Sequence, residues 1–168
     1  MSNIPELKRA TIWVRDIERS IDFYSQVIGL DVLERKDLSG AAIAGIVGFR
    51  DGRLRIAHLG RPGSRAGWIG LYELTEADPP VESLPLPPAD RIAYGQATVV
   101  FECEEIEAVA QRLRDSGCRM LRPPSRYPLR VPGASVPVIL VEAIVFDPDG
   151  VLVSVMGTLP AQGTVSPP

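Results

Sequence analysis

The chain contains one histidine, His58, and any histidine-based proton transfer must use it, because imidazole alone titrates near neutrality without help. It alternates with Leu54 and Ile56 along a β-rich run, so it reads first as a satisfied structural histidine and second as a pocket acid–base or hydrogen-bonding group. Glu142 stands inside the apolar run VILVEAIVF, on the face shared by Leu140, Ile144 and Phe146. An unpaired carboxylate there would cost several kcal/mol, so it needs either a structural arginine partner or a role gripping or deprotonating a ligand. Glu73 and Glu102 pose the same choice. Trp13, Tyr72 and Phe101 are strand aromatics that would pack in a core or stack on a planar ligand.

Other familiar devices are absent or incomplete. Cys103 and Cys118 are too far apart for a redox pair and too few for a disulfide framework, so both are expected as reduced packing residues. The loop GRPGSRAG offers amides and two arginines but lacks the Gly-Lys-Ser/Thr ending of a nucleotide loop. Neither a nucleophile elbow nor a dinucleotide fingerprint occurs. Ser125–Val131 (SRYPLRV) reads as a surface loop or a lid.

The elements that must position these groups follow from patterning. Ala10–Arg15 is β-rich and runs into Asp16, a good N-cap acceptor. Ile17, Ile21, Tyr24 and Ile28 then recur at helical spacing until Gly29 stops the helix. Leu30–Leu38, Leu54–Leu59 and Trp68–Leu74 read as strands, while Ala41–Gly48 suits a short helix or a flat strand. After a segment with five prolines between Ala77 and Arg91, the pattern returns: strand Ala97–Cys103, then a helix striped by Ile106, Val109, Ala110 and Leu113, closed by Gly117. The helix starts lie 89 residues apart and the stop glycines 88, which marks an internal duplication. Met120–Arg122, Val138–Phe146 and Val151–Met156 complete it, the last two joined by an Asp-Pro-Asp-Gly turn.

The expected fold is therefore α+β, two tandem βαβββ modules forming a cupped, barrel-like mixed sheet with a helix outside each. The first module covers residues 1–76, a Pro-rich linker 77–94, the second module 95–157 and a flexible tail 158–168. With 168 residues, 45% hydrophobic and 23% charged, the composition supports such a core. A net charge of −3 with scattered Lys and Arg disfavours nucleic acid. No run approaches the roughly 20 apolar residues that span a bilayer, so no membrane partner and a cytoplasmic location are expected. A homodimer is compatible with exposed sheet edges.

The string VRDIERSIDFYSQVIGLDVL (Val14–Leu33) resembles the opening strand–helix–strand of the vicinal oxygen chelate superfamily, which includes glyoxalases, bleomycin-resistance proteins and extradiol dioxygenases. DPDGVLVSV (Asp147–Val155) resembles that family's closing hairpin. In its metal-dependent members a histidine opens each module's first strand and a carboxylate sits on each module's last. Carried onto this chain, those positions fall on Arg9, Thr98 and Ser154, with the fourth on either Glu73 or Gly70, which point to opposite strand faces. A permanent cation and two hydroxyls make a poor donor set, so no metal and no other cofactor is expected. Arg9, Thr98 and Ser154 become candidate ligand contacts instead, beside Trp13, Tyr72, Glu73 and Phe101, with His58 and Glu142 as candidate catalytic groups. The resemblance thus implies metal-independent binding of a small aromatic or polyketide-like molecule. The alternatives are a lyase, isomerase or dioxygenase-type enzyme using Arg9, His58, a strand carboxylate or an unconventional metal site, and a module that binds a protein partner.

Overall fold

A computed structural model describes residues 6–129 and 138–160. The first module runs β1 (Arg9–Trp13), α1 (Ile17–Asp22), β2 (Asp31–Ser39), α2 (Ala41–Gly45), β3 (Asp51–Gly60) and β4 (Trp68–Asp78). Its strands form one mixed sheet in the order β1-β4-β3-β2, with β1 parallel to β4 and the other neighbours antiparallel. The second module repeats the plan with β5 (Thr98–Glu102), α3 (Ile106–Asp115), β6 (Met120–Leu129), β7 (Val138–Phe146) and β8 (Leu152–Pro160), in the order β5-β8-β7-β6. Both sheets are thus the expected βαβββ units. Residues 79–97, between β4 and β5, form neither helix nor strand.

Local chemistry explains the helix boundaries. The Asp16 carboxylate accepts from the amides of Glu18 and Arg19 at 3.1 and 3.2 Å, closing two of the donors that a helix start leaves open. From Phe23 to Ile28 the helix widens to a π-helical turn, where the Tyr24 carbonyl accepts from Gly29 at 3.2 Å and from Leu30 at 2.9 Å. Gly29 takes a left-handed φ of 99°, which stops the helix as its sequence position predicts.

Most of the core lies on one face of each sheet, with Leu54, Ile56, Phe146 and Leu152 buried on the other. Ile12, Ala57, Leu59, Ile69 and Leu71 share a face of the first sheet, and Ile17, Ile21, Tyr24 and Ile28 of the helical segment are buried with them. In the second sheet Val141, Ala143, Val145, Val153 and Val155 play that part, with Ile106, Val109, Ala110 and Leu113 from α3. Each large apolar side chain so buried contributes about 1.5–3 kcal/mol. At Gly157 a Cβ would stand 2.4 Å from the Cys103 carbonyl oxygen and 2.8 Å from Ile106 Cβ at the start of α3. Only glycine fits there.

One open choice is resolved and two local expectations change. Ala41–Gly45 is helical, so the small-residue run is no strand. The strand expected to end at Arg122 continues to Leu129, which makes Ser125–Leu129 part of β6 and not a loop or lid; Arg130 and Val131 lie outside the described residues. Pro123, Pro124 and Pro128 are tolerated because β6 is an edge strand, and the pairing slips on either side of Arg122. Likewise β8 runs on through Thr158 to Pro160, where it pairs with Val138.

By contacts, residues 6–87 and Asp147–Val151 form one compact unit, and the remaining described residues form another. Within the first, Asp147 accepts from the Tyr24 hydroxyl at 2.9 Å, and Asp149 accepts from Ser20 and from the Arg15 amide and guanidinium. Burial holds the Asp147 carboxyl above its usual range, although amides of Val151 and Asp149 and the Tyr24 hydroxyl oppose the shift. This carboxyl therefore takes up a proton more readily folded than unfolded. Its contribution to stability is complete below the unfolded value and is lost as pH rises through the folded one. On acidification from neutrality toward about pH 4, the protein should gain stability relative to Asp147→Asn. Urea unfolding of both proteins across that range checks the sign, and a steady relative loss on acidification would contradict it.

Candidate functional site

The face of the first sheet that α1 leaves uncovered gathers most of the chemically capable side chains. Strand alternation puts Arg9 and Trp13 of β1, His58 of β3, and Trp68, Gly70 and Tyr72 of β4 on this face. Gly70 lies opposite His58 in register and forms a notch: a Cβ there would meet Tyr72 Cε1 at 3.0 Å, Arg9 Cδ at 3.3 Å and His58 Cδ2 at 3.5 Å. The Arg9 guanidinium stands 5.7 Å from the Tyr72 ring centroid, within cation–π range. Trp13 meets Tyr72 edge to face at 5.5 Å, and Lys8 Nζ sits 3.9 Å above the Trp68 ring.

His58 is buried and both its ring nitrogens are engaged. Nδ1 is 3.0 Å from Glu34 Oε2 and Nε2 is 3.4 Å from the Tyr72 hydroxyl. With the proton on Nδ1 facing the carboxylate, Nε2 is left as an acceptor for Tyr72. Glu34 comes from β2, directly opposite His58 in register, and hydrogen bonds from Lys36 and then His58 hold its carboxyl below the usual range. Its contribution was invisible in the sequence, because β2 and β3 pair with a register shift between Val32 and Glu34.

Glu73 does not join this group. It lies on the helix face, buried, with Oε2 at 2.9 Å from Arg55 and Oε1 accepting from the Ile17 amide at 3.3 Å. The strand register therefore places Gly70, and not Glu73, on the Arg9 face.

In the second module the uncovered face brings Glu142 and Ser154 together with Tyr127, which sequence reasoning assigned to a loop. The Glu142 carboxylate accepts from the Tyr127 hydroxyl at 2.6 Å and from Ser154 Oγ at 2.7 Å. Donation into that carboxylate raises the Tyr127 phenol above its usual range. The satisfying partners of Glu142 are thus two hydroxyls, where an arginine was one alternative. Thr98 is exposed on the same face of β5, opposite Leu152, whereas Phe101 is half-buried on the face toward α3 and stands apart.

These side chains do not suit a divalent metal. Arg9 brings a permanent cation, Gly70 brings no donor, Glu73 faces away, and Ser154 already donates to Glu142. Among the described residues no group of three or more His, Cys, Asp and Glu side chains is placed to hold a metal ion. Also among them, no helix is long and apolar enough to cross a membrane.

Comparison with known proteins places the fold and then the family. A glyoxalase family protein from Bacillus cereus superposes with a TM-score of 0.71 at 19% identity, covering 94% of this chain and 97% of its own. The trypanothione-dependent glyoxalase I of Leishmania major gives 0.54 at 17% identity over 92% and 87%, and TioX from Micromonospora sp. ML1 gives 0.55 at 15% over 92% and 100%. At these identities the likeness is one of fold. No curated protein matches the sequence. The sequence profile of the Glyoxalase/Bleomycin resistance protein/Dioxygenase superfamily matches residues 6–155, and the chain belongs to that superfamily.

Proposed function

We propose that the uncovered face of the first sheet binds a small planar organic molecule through its anionic oxygen, without a metal bridge. The observation that carries this is Arg9. It stands beside a side-chain-free notch at Gly70, next to the rings of Tyr72 and Trp13, and among the described residues it forms no ion pair. A guanidinium so placed would grip a carboxylate or phenolate bidentately, in the position where metal-dependent relatives would use an ion. The flanking rings supply area for stacking an aromatic or polyketide-like body.

Calorimetric titration with salicylate and with its neutral amide tests this. Salicylate should bind more tightly by about tenfold or more, the worth of a charge-assisted hydrogen bond. Equal binding of acid and amide would remove Arg9 from the account.

A further inference from the structure

Glu34, His58 and Tyr72 form a line of hydrogen-bonding groups that simple ligand retention does not require. His58 Nδ1 lies 3.0 Å from the Glu34 carboxylate and Nε2 lies 3.4 Å from the Tyr72 hydroxyl. The His58 side chain is only 6% accessible, so a ligand on this face meets Tyr72, which is half-buried, before it meets the imidazole. With the Nδ1 proton directed at the Glu34 carboxylate, Nε2 is left as the acceptor, and the Arg9 guanidinium, 5.7 Å from the Tyr72 ring centroid, supplies a fixed positive charge. Lys36 lies 3.0 Å from Glu34, and Lys8 sits above Trp68.

We infer that Glu34, His58 and Tyr72 act as a proton relay that makes the Tyr72 hydroxyl a general base toward a C–H bond beside a carbonyl, with Arg9 holding the enolate oxygen. Tyr72 passes its hydroxyl proton to His58 Nε2 as its oxygen takes the proton from the α-carbon. The C–H electron pair becomes the enolate double bond, and the carbonyl electron pair moves to the oxygen that Arg9 faces. The imidazolium so formed is paired with Glu34. Reversal returns a proton to the same carbon, giving exchange with solvent, or to a conjugated one, giving isomerisation, without oxidant or further reactant. Tyr72 and Arg9 would be the catalytic residues, and Glu34 and His58 positioning residues that accept and stabilise the charge.

This activity rests on the proposed ligand face, so the experiment measures binding and proton transfer separately. The probe is 2-tetralone, an aryl-fused ketone with acidic α-protons. Binding is followed by saturation-transfer difference NMR, and loss of the α-proton signals in deuterated buffer follows exchange. The native protein should accelerate exchange over buffer. Tyr72→Phe should retain binding and a native circular dichroism melt but lose the acceleration by about 100-fold or more. Glu34→Gln should lose less, and His58→Gln should match Tyr72→Phe. Binding without accelerated exchange, or undiminished exchange in Tyr72→Phe, would overturn the relay and leave the ligand face standing. Failure of the ketone to bind while salicylate still binds would overturn the relay alone, and failure of both probes to bind would overturn both.

Discussion

Glu73→Ala is expected to lower the free energy of unfolding by about 3 kcal/mol, the low end of the roughly 3–5 kcal/mol for removing one partner of a buried charge pair, while leaving ligand binding unchanged. Glu73 is 6% exposed and spans two elements: one oxygen accepts from the Ile17 amide at the start of α1, and the other meets Arg55 on β3. Truncation leaves both partners short of an acceptor at once. Arg55 keeps an ion pair with Glu18, and its side chain is 33% accessible, which keeps the loss toward the lower part of that range. Glu73→Gln retains an acceptor for the Ile17 amide and should cost less. Urea denaturation gives the first quantity and salicylate calorimetry the second. A Glu73→Ala protein of normal stability that no longer binds would show that Glu73 faces the ligand.

Arg9→Gln is expected to weaken salicylate binding by about 10- to 100-fold, corresponding to the 1.5–3 kcal/mol of a hydrogen bond to a charged group. Lysine should restore only part of this, because a point charge cannot reproduce the bidentate fork. Gly70→Val probes the same place by volume. Its φ lies outside the left-handed region, so the backbone accepts a side chain, but the new Cβ would press on Tyr72 and Arg9. Weakened binding is therefore expected with little change in stability, since Leu71 and its core neighbours occupy the other face. Unchanged calorimetric affinity in both variants would place the ligand elsewhere.

Much of this fold is legible because its signals are local. Asp16 sits where its carboxylate can cap, Gly29 where a left-handed residue must stop a helix, and Asp147–Gly150 where a tight turn must fall, and each recurs in or completes a repeated pattern. The site is less legible because it is assembled across strands. Alternation alone showed that Glu73 and Gly70 face opposite ways, but choosing between them required the β3–β4 register that sets Gly70 opposite His58. Glu34 reaches His58 only because β2 shifts register before it. Tyr127 read as part of a surface loop or lid, yet it lies on β6, whose three prolines are harmless at a sheet edge and hide a strand from propensity arguments. His58 illustrates a shared outcome: its ring is buried and satisfied as a structural histidine would be, and one of its partners is the Tyr72 hydroxyl on the open face. Phe101 read as a strand aromatic available for stacking, yet alternation directs it toward α3.

The most direct test of the central claim is salicylate calorimetry on protein stripped with a chelator, with metal content measured on the same sample. Binding should persist at unchanged affinity in metal-free protein and fall in Arg9→Gln. Loss of binding on stripping, restored by one equivalent of a divalent ion, would contradict the account.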